Sequence, residues 1–259
     1  MKTEKIDTNG YTIAEALTAL ENMDLNGMRR SFERQLQDPH FADMPYEVRF
    51  GIMVKEEAEE QKHKRFERLL KHSRVNLRDN PNVESIVCSA ARGIKRNVVD
   101  FIASGRWIDA ERAQSIIFTG PTGVGKTYCM TAFALEFLKQ GRKVLYLKMA
   151  SFLTEISRAI EKKTFNLYAT RFAKYDVVFI DDYAMVPLDE TQSAALMELF
   201  DLRIGYGATV IGSQLEFSQW HDYIGSKLQA DAIMDRIKHY SQLVALKGES
   251  MRKGKFEMI

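Results

Sequence analysis

Gly120, Pro121, Thr122, Gly123, Val124, Gly125, Lys126 and Thr127 fit the pattern G-x-x-x-x-G-K-[ST] at every fixed position. Glycines let a backbone wrap closely around phosphate oxygens, and the free N–H groups and dipole at the start of a following helix favour their negative charge. Lys126 is then placed to reach the β- and γ-phosphates of a nucleotide. The Thr127 hydroxyl is the expected ligand of a Mg²⁺ ion, which needs few protein oxygens when phosphates and water supply the rest. The chain has no Asn-Lys-x-Asp run for reading guanine, so the nucleotide is read as ATP.

Farther along, Val177, Val178, Phe179 and Ile180 form an apolar run that ends in Asp181 and Asp182. Asp181 is expected to hold Mg²⁺ through water. Asp182 stands where many ATPases place a glutamate that polarises the attacking water. Aspartate is one methylene shorter, which predicts slow hydrolysis, and the alternative is an acid that only caps a helix or turn. After the strand-like Thr209 to Ile211 come Gly212, Ser213 and Gln214, so Gln214 is either a γ-phosphate sensor or an ordinary loop amide. Arg236 follows a helix-like stretch and is either a surface arginine or a finger that reaches a neighbouring subunit's γ-phosphate.

These groups need a scaffold. From residue 115 onward, apolar runs at Ile116 to Thr119, Val144 to Leu147, Val177 to Ile180, Thr209 to Ile211 and Leu243 to Leu246 alternate with helical patterns. Such alternation predicts an α/β fold, a parallel sheet flanked by helices. The helix after the glycine loop is expected over Thr127 to Gln140, stopping before Gly141. Residues 11 to 80 read as a small all-helical N-terminal domain. Leu25, Met28, Phe32 and Leu36 repeat on one face, and a long charged helix follows over Tyr46 to Val75. Turn chemistry at Asp79 to Asn82 puts the boundary near residue 80, dividing the chain into 1–80 and 81–259.

At 259 residues the chain exceeds one ordinary core, and 45% apolar residues with 15 Gly and 5 Pro are globular composition. The net charge of +2 leaves any DNA contact to local clusters. Cys88 and Cys129 lack metal-ligand spacing, which predicts a reducing compartment. The start MKTEKIDTNG lacks the apolar segment of a signal peptide, and no apolar run reaches membrane-spanning length, so a cytoplasmic protein is expected.

The order of these elements, with GRW at Gly105 to Trp107, ARG at Ala91 to Gly93, FSQW at Phe217 to Trp220 and LKGES at Leu246 to Ser250, resembles the IstB-like ATPases. These are helper proteins of bacterial insertion-sequence transposition, similar in their core to the DnaC helicase loaders and more distantly to the DnaA initiators. The resemblance covers nearly the whole chain. It implies a P-loop AAA+ core that forms a homo-oligomer with ATP at subunit interfaces, binds duplex DNA and delivers it to a transposase of the DDE type, an IstA-like partner. It makes Arg236 the trans finger and Arg252 a second sensor. The chain departs from the family pattern at Asp182 in place of Glu, at Gly212, Ser213 and Gln214 in place of Thr-Ser-Asn, and at Met251 in place of Tyr.

Between the second and third apolar runs, Ser151 to Tyr175 reads as a helical insertion in which Arg158, Lys162, Lys163, Arg171 and Lys174 outnumber the acids. Such a surface suits phosphate-backbone binding, the alternative being a solvated helix face. Glu56 to Lys71 carries mixed charge that fits either a salt-bridged helix or a docking surface. A helicase loader on the same core, or a small-molecule phosphotransferase, would use the same phosphate loop. The latter usually carries an arginine-rich lid, which the sequence lacks.

Overall fold

The computed structural model describes residue 10 and residues 12–78, 80–109, 115–238 and 241–251. It divides into two compact units at Glu67/Arg68. That division falls inside a helix rather than at the turn near residue 80, because the long charged helix runs through it.

The first unit contains α1 (Ile13–Asn22), α2 (Asn26–Gln37) and the start of α3 (Tyr46–Ser73). Thr12 and Glu15 close a capping box at the start of α1, the arrangement that satisfies free N–H groups at a helix start. α2 approaches α3 closely at Gly27, where a β-carbon would meet the Glu56 and Glu57 backbone, and polar pairs flank that contact. Arg30 pairs with Glu60 at 2.7 Å, Arg34 with Glu56, and the buried Glu57 accepts the Met28 N–H at 3.1 Å. The mixed charge in Glu56 to Lys71 is therefore partly spent on pairing within this unit. Leu36, expected on the packed face, is exposed.

The second unit is built on five strands, β1 (Ser115–Thr119), β2 (Val144–Lys148), β3 (Val177–Tyr183), β4 (Ala208–Ser213) and β5 (Ser241–Ala245). All neighbours are parallel, in the order β2-β3-β4-β1-β5. The helices of this unit after the end of α3 are α4 (Arg96–Ala103), α5 (Lys126–Lys139), α6 (Met149–Glu161), α7 (Phe165–Ala173), α8 (Glu190–Asp201) and α9 (Lys227–Lys238). Alternate residues of the strands face opposite sides. Ile117, Leu145, Leu147, Val178, Ile180 and Ile211 join a core with side chains of α6 to α9. On the other side Phe118 stacks on Phe133 of α5, and Phe137 of α5 meets Phe179. Each such buried ring contributes about 2 kcal/mol of transfer free energy.

α5 stops where the sequence predicts. Gly141 takes a left-handed φ of 81°, and the N–H groups of Gly141 and Arg142 close back onto Leu138 and Phe137. The basic segment between β2 and β3 is helical, as its sequence predicts. It is two helices, broken at Lys163 with φ 55°, and Phe152, Ile156, Ala169 and Phe172 pack into the core. Among the described residues no helix is long and apolar enough to cross a membrane.

Candidate functional site

The phosphate-loop residues sit between the end of β1 and the start of α5. Gly120, Gly123 and Gly125 have φ of 139°, 85° and 95°, a region that side-chain-bearing residues avoid. Val124 is fully buried and anchors the loop in the core, while Pro121 and Thr122 lie at the surface. Lys126 is buried, and its Nζ donates to the carbonyls of Gly120 at 2.6 Å and Pro121 at 3.0 Å. The ammonium is thus held within the loop that would receive phosphate.

Space at Gly120 is also limiting. A β-carbon there would lie 2.1 Å from the Leu246 carbonyl oxygen, a backbone atom that cannot swing away. Gly120→Ala is therefore expected to cost about 3 kcal/mol from strained φ and overpacking together, lowering the melting temperature by roughly 10 °C. Gly205→Ala is the control. Gly205 also has a positive φ, 82°, nearer the left-handed α region, and nothing lies within 4 Å of its missing β-carbon, so it should lose about 1 kcal/mol only. Thermal melts of the two variants check the difference.

β3 carries its acids on a bulge. Ile180 pairs with Ile211 and Tyr183 with Ser213, so Asp181 and Asp182 together oppose Gly212. The extra residue re-aims the two acids. The Thr127 Oγ1 donates to Asp181 Oδ2 at 2.8 Å, and the Tyr146 hydroxyl donates to the same oxygen at 3.0 Å. Burial raises the Asp181 carboxyl above its ordinary value, and the neighbouring Asp182 adds to this, while the hydroxyl of Thr127 and then that of Tyr146 oppose it. The Tyr146 phenol is itself pushed well above its ordinary value by burial and by Asp181, so it stays a donor.

Asp182 has a left-handed φ of 57°, a conformation aspartate tolerates better than most residues, and its N–H donates to Asp181 Oδ1 at 3.0 Å. It caps no helix. The cap of α8 is Asp189, whose side chain accepts the Gln192 N–H at 2.7 Å. Gly212 leaves room for its neighbours, since a β-carbon there would lie 2.5 Å from Met130 Sδ and 2.9 Å from Asp181 Oδ1. Gln214 reaches the loop, accepting from the Thr122 hydroxyl.

The Thr127 and Asp181 oxygens are hard donors that converge beside the phosphate loop. Among the described residues no three His, Cys, Asp or Glu side chains gather as a metal cage. The two oxygens suit Mg²⁺ held largely by phosphate and water.

Arg236 is elsewhere. With Ser115, Arg203 and Thr209 it lines a recess of about 30 Å³ by the starts of β1 and β4, room for about one water. The phosphate loop follows the other end of β1, roughly 17 Å away for a five-residue strand. Arg236 pairs with Asp201, and its Nη1 donates to the Ala232 carbonyl at 3.0 Å. It cannot serve its own chain's loop. Arg252 lies outside the described residues. Arg158, Lys162, Lys163, Arg171 and Lys174 lie at the surface, and among the described residues none has a carboxylate within ion-pair distance.

Three interactions escape the sequence reading. Arg92 donates to the Val124 carbonyl, the Met251 N–H donates to the Gly123 carbonyl at 3.0 Å, and Tyr146 binds Asp181. The first two lie in or next to the ARG and LKGES segments. Those segments thus brace the phosphate loop together, with Gly93 passing against the Ala245 carbonyl and Lys247 N–H bonded to the Arg92 carbonyl at 3.0 Å. Only their unusual wording in the sequence marked them.

The family model described as IstB-like ATP binding protein matches residues 18–257. Insertion sequence ATP-binding protein y4uH of Sinorhizobium fredii is 27% identical over 92% of this chain and 94% of its own. The insertion sequence IS1162 ATP-binding protein of Pseudomonas fluorescens is 30% identical over 78% of this chain and 86% of its own. Among solved structures, the DnaC helicase loader matches with a TM-score of 0.53 at 14% identity, over 65% of this chain and 98% of that one. AMPPCP-bound DnaA from Aquifex aeolicus matches with a TM-score of 0.56 at 17% identity, over 70% of this chain but only 54% of that one. These likenesses show the AAA+ fold. With a phosphate loop of this geometry and a family match over nearly its whole length, the chain belongs to the IstB-like ATP-binding proteins.

Proposed function

We propose that this protein is an ATP-dependent DNA-binding transposition helper, which oligomerises on duplex DNA and delivers it to a DDE-type, IstA-like transposase. The observation that carries the reading is the separation of Arg236 from the phosphate loop of its own chain, at opposite ends of β1. A transition-state arginine so placed can complete an ATP site only in a neighbouring copy, which couples nucleotide to assembly. Names of relatives as insertion sequence ATP-binding proteins support the transposition setting.

In the composite site Lys126 would exchange the Gly120 and Pro121 carbonyls for phosphate oxygens. Thr127 and Asp181 would hold Mg²⁺, whose charge offsets that on the phosphates. Gln214, tied to Thr122, would report the γ-phosphate. Asp182, on its bulge, would position water less closely than a glutamate, giving slow hydrolysis suited to timing an assembly. Arg252 is assigned to nucleotide sensing on the family resemblance alone. The helical segment 1–80 would supply the surface for the transposase or another copy, with the ATPase core in 81–259.

The DNA surface is assigned to the outer side of α6 and α7, where, among the described residues, five cations stand without carboxylate partners. Removing one cation that touches a DNA phosphate should reduce the slope of log affinity against log salt by about 0.9. Replacing Lys162, Lys163 and Arg171 by alanine should therefore flatten the slope by about 2.7 if all three touch phosphate, with ATP binding unchanged. Duplex binding measured over a salt series decides. A slope equal to wild type would remove this surface from the account.

A further inference from the structure

Tyr146 stands in the middle of β2, directly across from Phe179 in the β2–β3 pairing, and their rings stack with centroids 5.7 Å apart. Side chains alternate along a strand, so Asp181, two residues past Phe179, shares that face one diagonal step from Tyr146. Phe118, Phe133, Phe137 and Phe179 pack on the same side, with Trp107 edge-on to Phe137. A phenylalanine at 146 would fill the same space. What distinguishes tyrosine is its hydroxyl, and that hydroxyl is aimed at Asp181 Oδ2.

The carboxylate is thus directed from three elements. α5 supplies the Thr127 hydroxyl, β2 the Tyr146 hydroxyl, and the bulge the Asp182 N–H. Asp181 keeps its place opposite Lys148 on β2, but the bulge breaks its register with β4, so its carboxylate depends on these hydrogen bonds for its direction. Groups behind a metal ligand that fix its orientation typically change metal affinity 10- to 100-fold when removed.

We propose that Tyr146 is a positioning residue whose hydroxyl fixes the Asp181 carboxylate to receive Mg²⁺, and so sets how much Mg²⁺ nucleotide binding requires. The proposal rests on the Mg²⁺–ATP reading above and adds to it a group that touches neither metal nor nucleotide.

The test is a Mg²⁺ titration of binding of a fluorescent ATP analogue to wild type, Tyr146→Phe, Asp181→Asn and the double variant, with a thermal melt of each. Tyr146→Phe should melt like wild type and bind the analogue normally at saturating Mg²⁺, but its half-saturating Mg²⁺ should rise about tenfold. The Tyr146 hydroxyl also meets the Thr131 side chain, but if it sets Mg²⁺ demand through the Asp181 carboxylate, the same change in the Asp181→Asn background should add nothing. An unchanged half-saturation in Tyr146→Phe overturns the proposal. If Tyr146→Phe melts early, the Asp181→Asn background still decides, because a shift that persists there comes from packing and one that vanishes does not. A wild type whose nucleotide binding ignores Mg²⁺ would overturn the Mg²⁺ reading itself, and this proposal with it.

Discussion

Lys126→Ala should fold and yet hydrolyse ATP at under about 1% of the wild-type rate, a loss of the size that follows removal of one group stabilising transition-state charge. The structure limits the damage to folding. Lys126 donates to two loop carbonyls, the Gly120 and Pro121 oxygens. The carbonyls are left without that donor, at a cost of about 1–3 kcal/mol at most. Val124, the Arg92 hydrogen bond and the Met251 hydrogen bond still hold the loop. Phosphate release and analogue binding measured on the same preparation check this. A variant that retains a tenth or more of the activity would mean that Lys126 does not reach the phosphates.

Arg236→Ala should bind ATP normally and lose hydrolysis by about a thousandfold, the lower end of what arginine fingers supply. Its particular signature is rescue by mixing. A Lys126→Ala subunit cannot use its own nucleotide but still presents Arg236, so a mixture of the two inactive variants should regain activity at shared interfaces. The competing account is that Arg236 only pins α9 to α8 through Asp201. That pair is part exposed and should be worth about 1 kcal/mol or less. Asp201→Asn removes the pair and keeps the arginine, so it should stay active under the proposed account. Loss of activity in Asp201→Asn together with no rescue on mixing would assign Arg236 to packing.

The local parts of the site were legible in the sequence because each is contiguous. A glycine-rich octet, an apolar run ending in acids and Gly141 after a helical pattern carry their own geometry, and the structure has the loop, β3 and the end of α5 where those signals put them. The bulge was not legible. The apolar run ends at Ile180, so it cannot show that the strand continues to Tyr183 with two residues opposite one. The hydroxyl of Tyr146 was hidden for a related reason, since a tyrosine in an apolar strand reads as core until the register places it beside Asp181. Hydrogen bonds between Arg92, the phosphate loop and Met251 join segments far apart in the chain, and periodicity carries no information about them. The break at Lys163 has neither glycine nor proline to announce it, so two packed helices read as one insertion. The turn at residues 79–82 marked a change of element, whereas the division of packing lies inside α3.

The central claim is that ATP builds this protein into an assembly on duplex DNA. Light scattering of the wild type with a short duplex, in ATP, in ADP and without nucleotide, tests it most directly. The account predicts a large particle only when ATP and DNA are both present. A protein that stays monomeric under every condition would contradict it, leaving an ATP-binding chain without the interface that Arg236 is proposed to complete.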